Sequence, residues 1–379
     1  MDGDACYYLL ALLPLVYTIF RFSRAFFGSG NRGLRLPPGP WQLPVIGSLH
    51  HLFGALPHRA LRDLSRRHGP LMLLKFGKVP VIIASSAEAA KEIMKTHDHV
   101  FCTRPLSASA KVLNEHGPGI SFAPYGEHLR QLRKICIVAL LNAKRINSFR
   151  PTREQEVSVL IRSISSASKS EPLVNLSRGV EAPVTTLLWA MAELMQNPSV
   201  MSRAQAEVRG AFMGQMEVTE EGLGQLSYLH CVIKETMRLH TPGPLLLPRE
   251  CQEQCNILGY DVPKGATVLV NAWAISRDPE YWDEPEAFVP DRFMGSKIDY
   301  KGNDFEFTPF GAGRRICPGM HFGIANIELA LASLLFYFDW ALPDGILPGD
   351  LDMTETMGIT ARKKEDLWLR ATLHVQLPR

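Results

Sequence analysis

The sequence predicts a mainly α protein with small β-sheets, an α+β body behind an N-terminal membrane anchor. Three observations point there. Apolar residues recur at helical spacing over much of the 379-residue chain. Runs short enough to be strands are few and bounded by Gly or Pro. No repeat period is visible. At 46% hydrophobic residues the chain has ample material for a buried core.

Residues 5–20 carry no charge and include Leu9, Leu10, Leu12, Leu13, Val16 and Ile19. Sixteen residues fall a little short of the ~20 needed to span a bilayer. Arg21 and Arg24 can snorkel, and Phe22, Phe26 and Phe27 extend the apolar side. A cleaved signal peptide is the rival reading. That class starts basic, whereas here Asp2 and Asp4 precede the run and the arginines follow it. An uncleaved anchor over 1–27 is the expectation. Arg21, Arg24, Arg32 and Arg35 then place the body in the cytosol. Residues 28–40 read as a hinge, flexible at Gly28 and Gly30 and stiff at Pro37, Pro38 and Pro40. Composition alone also allows an ordinary linker. The body follows over 41–379.

Within the body, 71–76 and 79–84 flank Gly77-Lys78 and predict a hairpin. Residues 87–96 predict a helix capped by Ser85 or Ser86. Residues 127–139 predict a basic helix, 153–165 an amphipathic one, and 185–196 an apolar one. Asn197-Pro198 reads as the cap and first position of a helix over 199–212. Helices are also expected over 229–239 and 321–339, with a turn and a strand in 262–271.

Charged residues make up 21% of the chain and the net charge is +3, so nothing global argues for nucleic acid. Seven cysteines are spread thinly. Cys251 and Cys255 lie four apart without a second pair nearby, and six of the seven read as free thiols in a reducing compartment.

Cys317 differs. It lies in Phe310-Gly311-Ala312-Gly313-Arg314-Arg315-Ile316-Cys317-Pro318-Gly319. A thiolate that ligates haem iron must be kept dry and must receive backbone N–H groups that tune its potential. Phe310 can shield the sulfur. Gly313 and Gly319 can bring the chain close to a flat macrocycle. Arg315 can meet a propionate, and the helix that follows aims its positive end at the sulfur. A buried structural cysteine is the ordinary alternative for a lone Cys, and this residue combination is too specific for it.

The segment resembles the cysteine-loop signature of the cytochrome P-450 superfamily. Glu235 and Arg238 match the Glu-x-x-Arg of that family, and Pro290-Asp291-Arg292-Phe293 resembles its meander. Leu36-Pro37-Pro38-Gly39-Pro40 is similar to the proline hinge of plant microsomal members. The resemblance implies haem b, with Cys317 as the axial ligand to iron. It implies that Glu235, Arg238 and Arg292 form a buried structural triad; spacing alone would give a solvated i,i+3 pair. It implies propionate contacts from Arg133 and Arg249, with Leu129 standing where the family usually has Trp. It also implies a P-450-like fold, a monooxygenase activity on an apolar small molecule such as a plant specialised metabolite, and an NADPH-dependent flavoprotein reductase as partner. Arg130, Lys134 and Arg314 fall on segments the family presents to that reductase. Residues 241–248 and 354–360 match pocket strands, offering Leu245, Leu246, Leu247, Met357 and Ile359, which core packing would explain equally well. Residues 101–120 match a substrate loop.

The resemblance breaks at one place. Gly179-Val180-Glu181-Ala182-Pro183 stands where the family has an acid and a threonine that deliver protons during oxygen activation. Glu181 keeps the acid and is the candidate catalytic residue. Ala182 lacks the hydroxyl, and Pro183 is expected to kink or break the helix. Between Ser177 and Gly179 part of the distal helices is missing, as a deletion would leave it. Three readings follow: a monooxygenase, a haem-binding but catalytically impaired membrane protein, or a haem-thiolate isomerase or dehydratase that needs no reductase.

Overall fold

The computed structural model describes residues 33–106, 119–177, 182–358 and 360–377, together with 14, 17 and 112. Most of the anchor, Gly28 and Gly30 of the hinge, most of 107–118 in the expected substrate loop, Gly179, Glu181 and Ile359 lie outside the described residues.

The longer helices are α1 (Pro57–His68), α2 (Glu127–Lys134), α3 (Arg150–Ser170), α4 (Ala182–Gln196), α5 (Pro198–Ala211), α6 (Ser227–Leu239) and α7 (Met320–Tyr337). The strands are β1 (Leu71–Phe76), β2 (Val79–Ala84), β3 (Val174–Asn175), β4 (Arg249–Glu250), β5 (Cys255–Ile257) and β6 (Tyr260–Val262). They continue with β7 (Thr267–Val270), β8 (Phe338–Ala341), β9 (Glu355–Met357), β10 (Ala361–Lys363) and β11 (Trp368–Leu373). The expected hairpin is present, with Leu71 opposite Ala84 and Phe76 opposite Val79. β7 adds to it in parallel and β4 closes the sheet in the order β1-β2-β7-β4. Small pairs β5-β6 and β9-β10 and the trio β3-β11-β8 complete the β content.

Helix α7 is apolar on nearly every side, which is the pattern of a helix buried all round. It packs against α3, α4, α5 and α6, and the main core forms around Trp189, Phe212, Leu331, Leu335 and Phe336. It is long and apolar enough to cross a membrane, yet most of it is buried inside the body, as a core helix is.

Several local expectations are refined. Ser86 caps the helix that starts at Ala87 by accepting from Ala89 N–H at 3.2 Å, but that helix loosens into a π-turn over Glu92–Thr96. The basic helix stays α only to Lys134 and continues as a π-segment over Ile135–Leu140. Asn197 does not cap α5 with its side chain. Its amide turns back and donates to the Glu193 carbonyl at 2.8 Å, so only Pro198 plays the part expected of it. Pro183 sits in the first described turn of α4. The proline segment is docked on the body. Leu73 N–H donates to Pro38 O at 2.8 Å, and a Cβ on Gly39 would lie 1.9 Å from Leu73 O, so only glycine permits this approach.

Candidate functional site

Two tethers hold the cysteine loop. On one side lies the Glu235 cluster at the C-terminal half of α6. Glu235 and Arg238 are fully buried and joined by two hydrogen bonds of 2.7 and 2.8 Å. Arg292 donates to Glu235 at 3.0 Å, and Val289 N–H donates to the same oxygen at 2.8 Å. Arg238 also reaches the carbonyls of Ser276, Pro285 and Ala287. The pair that spacing alone would leave in solvent is therefore the centre of a dry network, which fixes the meander ahead of the loop.

On the other side lies Asp98, which the sequence did not single out. Its carboxylate accepts from Arg314 N–H at 2.9 Å and from Arg249 Nη1 at 3.2 Å. Gly313 sits at φ +67, and a Cβ there would lie 2.1 Å from Met94 O and 2.9 Å from the Asp98 carboxylate. The glycine is required by this protein-to-protein contact, which is a different reason from the close approach to a ligand that the sequence suggested. Gly319 has an ordinary φ of −92 and caps α7. Its missing Cβ would stand 4.0 Å from Cys317 Sγ.

Between the tethers, Cys317 N–H donates to Phe310 O at 3.0 Å. Burial pushes the Cys317 thiol up, while the Gly319 N–H bond to sulfur and the nearby Arg133 pull it down. The side chain is crowded by protein yet accessible, because it faces a cavity of about 380 Å³. Phe310, Gly319, Arg133, Arg249 and Arg315 line the same cavity, as do Leu246 and Leu247. Of the expected site residues outside the triad and Glu181, all but Gly313 thus converge on one space. Leu245 packs instead beside the small core under β1 and β2. Leu129 is fully buried.

Arg104 joins this group and had no sequence signal. It is 6% exposed and its Nη1 donates to Pro248 O at 2.8 Å and also to Leu247 O. Arg133 donates to Ile316 O at 3.0 Å, and Arg249 to Ala312 O at 2.9 Å. Arg315 donates to the carbonyls of Cys102 and Ala123, while its Nη1 is buried without a partner. Burial pushes the Arg104 and Arg315 guanidiniums down, and repulsion among the arginines adds to it. Four cations around one apolar cavity, one with an idle buried N–H, suit an anionic group on an otherwise apolar molecule. Among the described residues no cluster of three or more His, Cys, Asp or Glu could hold a metal ion, so Cys317 stands as a single soft donor in this space.

The sequence model of the cytochrome P450 family matches residues 37–178 and 170–369. The chain belongs to the cytochrome P450 family. This P450 is 40% identical to desmethyl-deoxy-podophyllotoxin synthase of Sinopodophyllum hexandrum, over 92% of this chain and 94% of that protein. It is 37% identical to 5-epiaristolochene 1,3-dihydroxylase of Nicotiana tabacum, over 97% and 98%. It is 39% identical to ent-cassadiene hydroxylase of Oryza sativa subsp. japonica, over 94% and 95%. The family takes a haem-thiolate cofactor, and the names of these relatives mark this P450 as a monooxygenase. The first alignment runs over 476 positions, more than the whole length of this P450 at 379, so the relatives carry residues with no counterpart here. The family match is likewise in two pieces that meet at 170–178.

Proposed function

We propose that this P450 is a membrane-anchored haem-thiolate monooxygenase that inserts one oxygen atom from dioxygen into an apolar plant specialised metabolite. Electrons come from an NADPH-dependent flavoprotein reductase, and the body faces the cytosol from the endoplasmic reticulum. One observation carries the reading: Cys317 Sγ opens into the same cavity as Arg104, Arg133, Arg249 and the idle Nη1 of Arg315. The donor set fits haem b, with Cys317 to iron and arginines to propionates. When bound, that group supplies the redox-active iron at which dioxygen is reduced.

The chain's own residues do the rest. Gly319 N–H and the N-terminus of α7 stabilise negative charge on the Cys317 sulfur. The Glu235 and Asp98 tethers fix the loop in position. Leu246 and Leu247 offer apolar contact to substrate and keep water out. Arg130, Lys134 and Arg314 present positive charge to an acidic reductase surface. Arg314 is held by Tyr125 Oη at 3.0 Å and Arg130 by Glu127 at 2.7 Å, so both are fixed in place. Glu181 is the proton-delivering acid.

The alignment gap favours a second reading for turnover. We infer that a segment is deleted near 177–179, so that haem binding outlasts efficient catalysis. Ala182 offers no hydroxyl at the start of α4. Reconstitution with reductase, NADPH and a candidate metabolite tests both readings through NADPH oxidation, peroxide and product. Peroxide should dominate in the original chain, and Ala182→Thr should shift the balance toward product carrying oxygen from dioxygen. Tight coupling in the original chain would refute the impaired reading. Rearrangement or dehydration of a hydroperoxide without NADPH, with no NADPH-dependent oxygenation of any metabolite, would refute the monooxygenase assignment.

A further inference from the structure

Cys251 and Cys255 take no part in the cavity around Cys317, yet the fold brings their sulfurs together. Cys251 follows β4 and is fully buried, whereas Cys255 opens β5 and is half-buried. The Cys251 backbone is fixed on both sides: its N–H donates to Ala266 O at 2.9 Å and its carbonyl accepts from Gly265 N–H at 2.7 Å. Cys255 is held opposite Val262 by the β5-β6 pairing. Cys251 Sγ lies 3.8 Å from the carbonyl of that same Val262 and 2.9 Å from Glu253 O, so its side chain folds over the 252–254 link toward Cys255. The two thiols share a hydrogen bond, which Cys251 donates. That bond pulls the Cys255 thiol down against burial and the charges of Glu253 and Glu92, and together with burial it pushes Cys251 up.

A solvent-reachable thiol stabilised as thiolate, with a second thiol against it, is the arrangement in which one sulfur reacts with an oxidant and the other resolves the product. We propose that Cys251 and Cys255 form a reversible disulfide when the protein meets hydrogen peroxide, with Cys255 as the attacking thiol and Cys251 as the resolving one. The Cys255 thiolate attacks one peroxide oxygen and the O–O bond breaks. A sulfenic acid forms, and the departing hydroxide takes up a proton to become water. Cys251 then loses its proton and displaces the sulfenic hydroxyl, which leaves as a second water. Two thiols are oxidised to one disulfide and one peroxide is reduced. The bridge bears on a tether of the cysteine loop. Gln252, inside the link, donates its N–H to Val100 O at 3.0 Å, in the short helix Asp98–Phe101 that starts at the Asp98 tether. Closing the ring therefore fixes the residue against which this helix rests. The reaction needs neither haem nor turnover, so it stands apart from the monooxygenase reading.

The full chain, reduced and then freed of reductant, is given hydrogen peroxide, quenched with N-ethylmaleimide, digested with trypsin and read by mass spectrometry. Tryptic peptide 250–264 holds both cysteines. It should appear unlabelled and lighter by two hydrogens than the reduced peptide, severalfold sooner than the half-buried Cys136 is oxidised. Dithiothreitol before the quench should restore both labels. Cys251→Ser should leave a sulfenic acid on Cys255 that dimedone captures, whereas Cys255→Ser should leave Cys251 reduced. A peptide that keeps both labels, or that gains oxygen without closing, would overturn the proposal. So would a pair that reacts no faster than Cys136, or dimedone captured on Cys251 in Cys255→Ser.

Discussion

Asp98 carries more than its place in the sequence suggests. It stands 216 residues from Arg314, whose N–H it accepts, and it is the carboxylate that faces buried Arg249. Nothing local marks such a residue, because its partners are assembled only by the fold. The same holds for Arg104. Cys317, Arg315 and Gly313 were legible because their motif is contiguous, although the structural reason for Gly313 was not. Removing one partner of a buried ion pair leaves the other charge stranded. Asp98→Ala should therefore destabilise the protein by about 3 kcal/mol in chemical denaturation. Asp98→Asn should cost clearly less, since it keeps an acceptor for Arg314 N–H. Glu355 gives a pH test at the same scale. Burial pushes its carboxyl up, but the hydrogen bond and charge of His58, with Arg59, outweigh that and bring it down to about 2. A carboxyl with a lowered folded-state value stabilises above its unfolded value and loses that stabilisation as pH falls through the folded one. About 3 kcal/mol of stability should disappear between roughly pH 4.5 and 2. Acid titration of unfolding should show this slope, and Glu355→Gln should flatten it.

Elements were more legible than single residues. The hairpin could be read because apolar runs, a glycine and a lysine fix its turn, and α6 because its apolar face repeats at helical spacing. The π-segment after α2 could not, since its sequence reads like any apolar helix end and tertiary packing decides its winding. The Asn197 side chain likewise had two possible partners, and Glu193 won. α6 also carries the Glu235 tether, whose burial spacing alone could not reveal. Glu235→Ala would strand Arg238 and Arg292 in a dry site. It should cost about 3–5 kcal/mol by denaturation, well above the few tenths expected of an exposed i,i+3 pair. A loss under about 1 kcal/mol would mean that the network does not anchor the meander.

At the scale of the whole molecule, the residues expected around Cys317 are present, and the deletion we infer falls near 177–179. Removing the residues before Leu36 should shift much of the protein to the soluble fraction, read by fractionation. Protease added to intact microsomes should digest the body, whereas full protection would reverse the proposed topology. The account rests most heavily on Cys317 as the donor to haem iron. The direct measurement is the absorption spectrum of the reduced full chain under carbon monoxide. It should show the red-shifted Soret band of thiolate ligation, lost in Cys317→His and retained in Cys136→Ser. A thiolate band that survives Cys317→His would contradict the assignment.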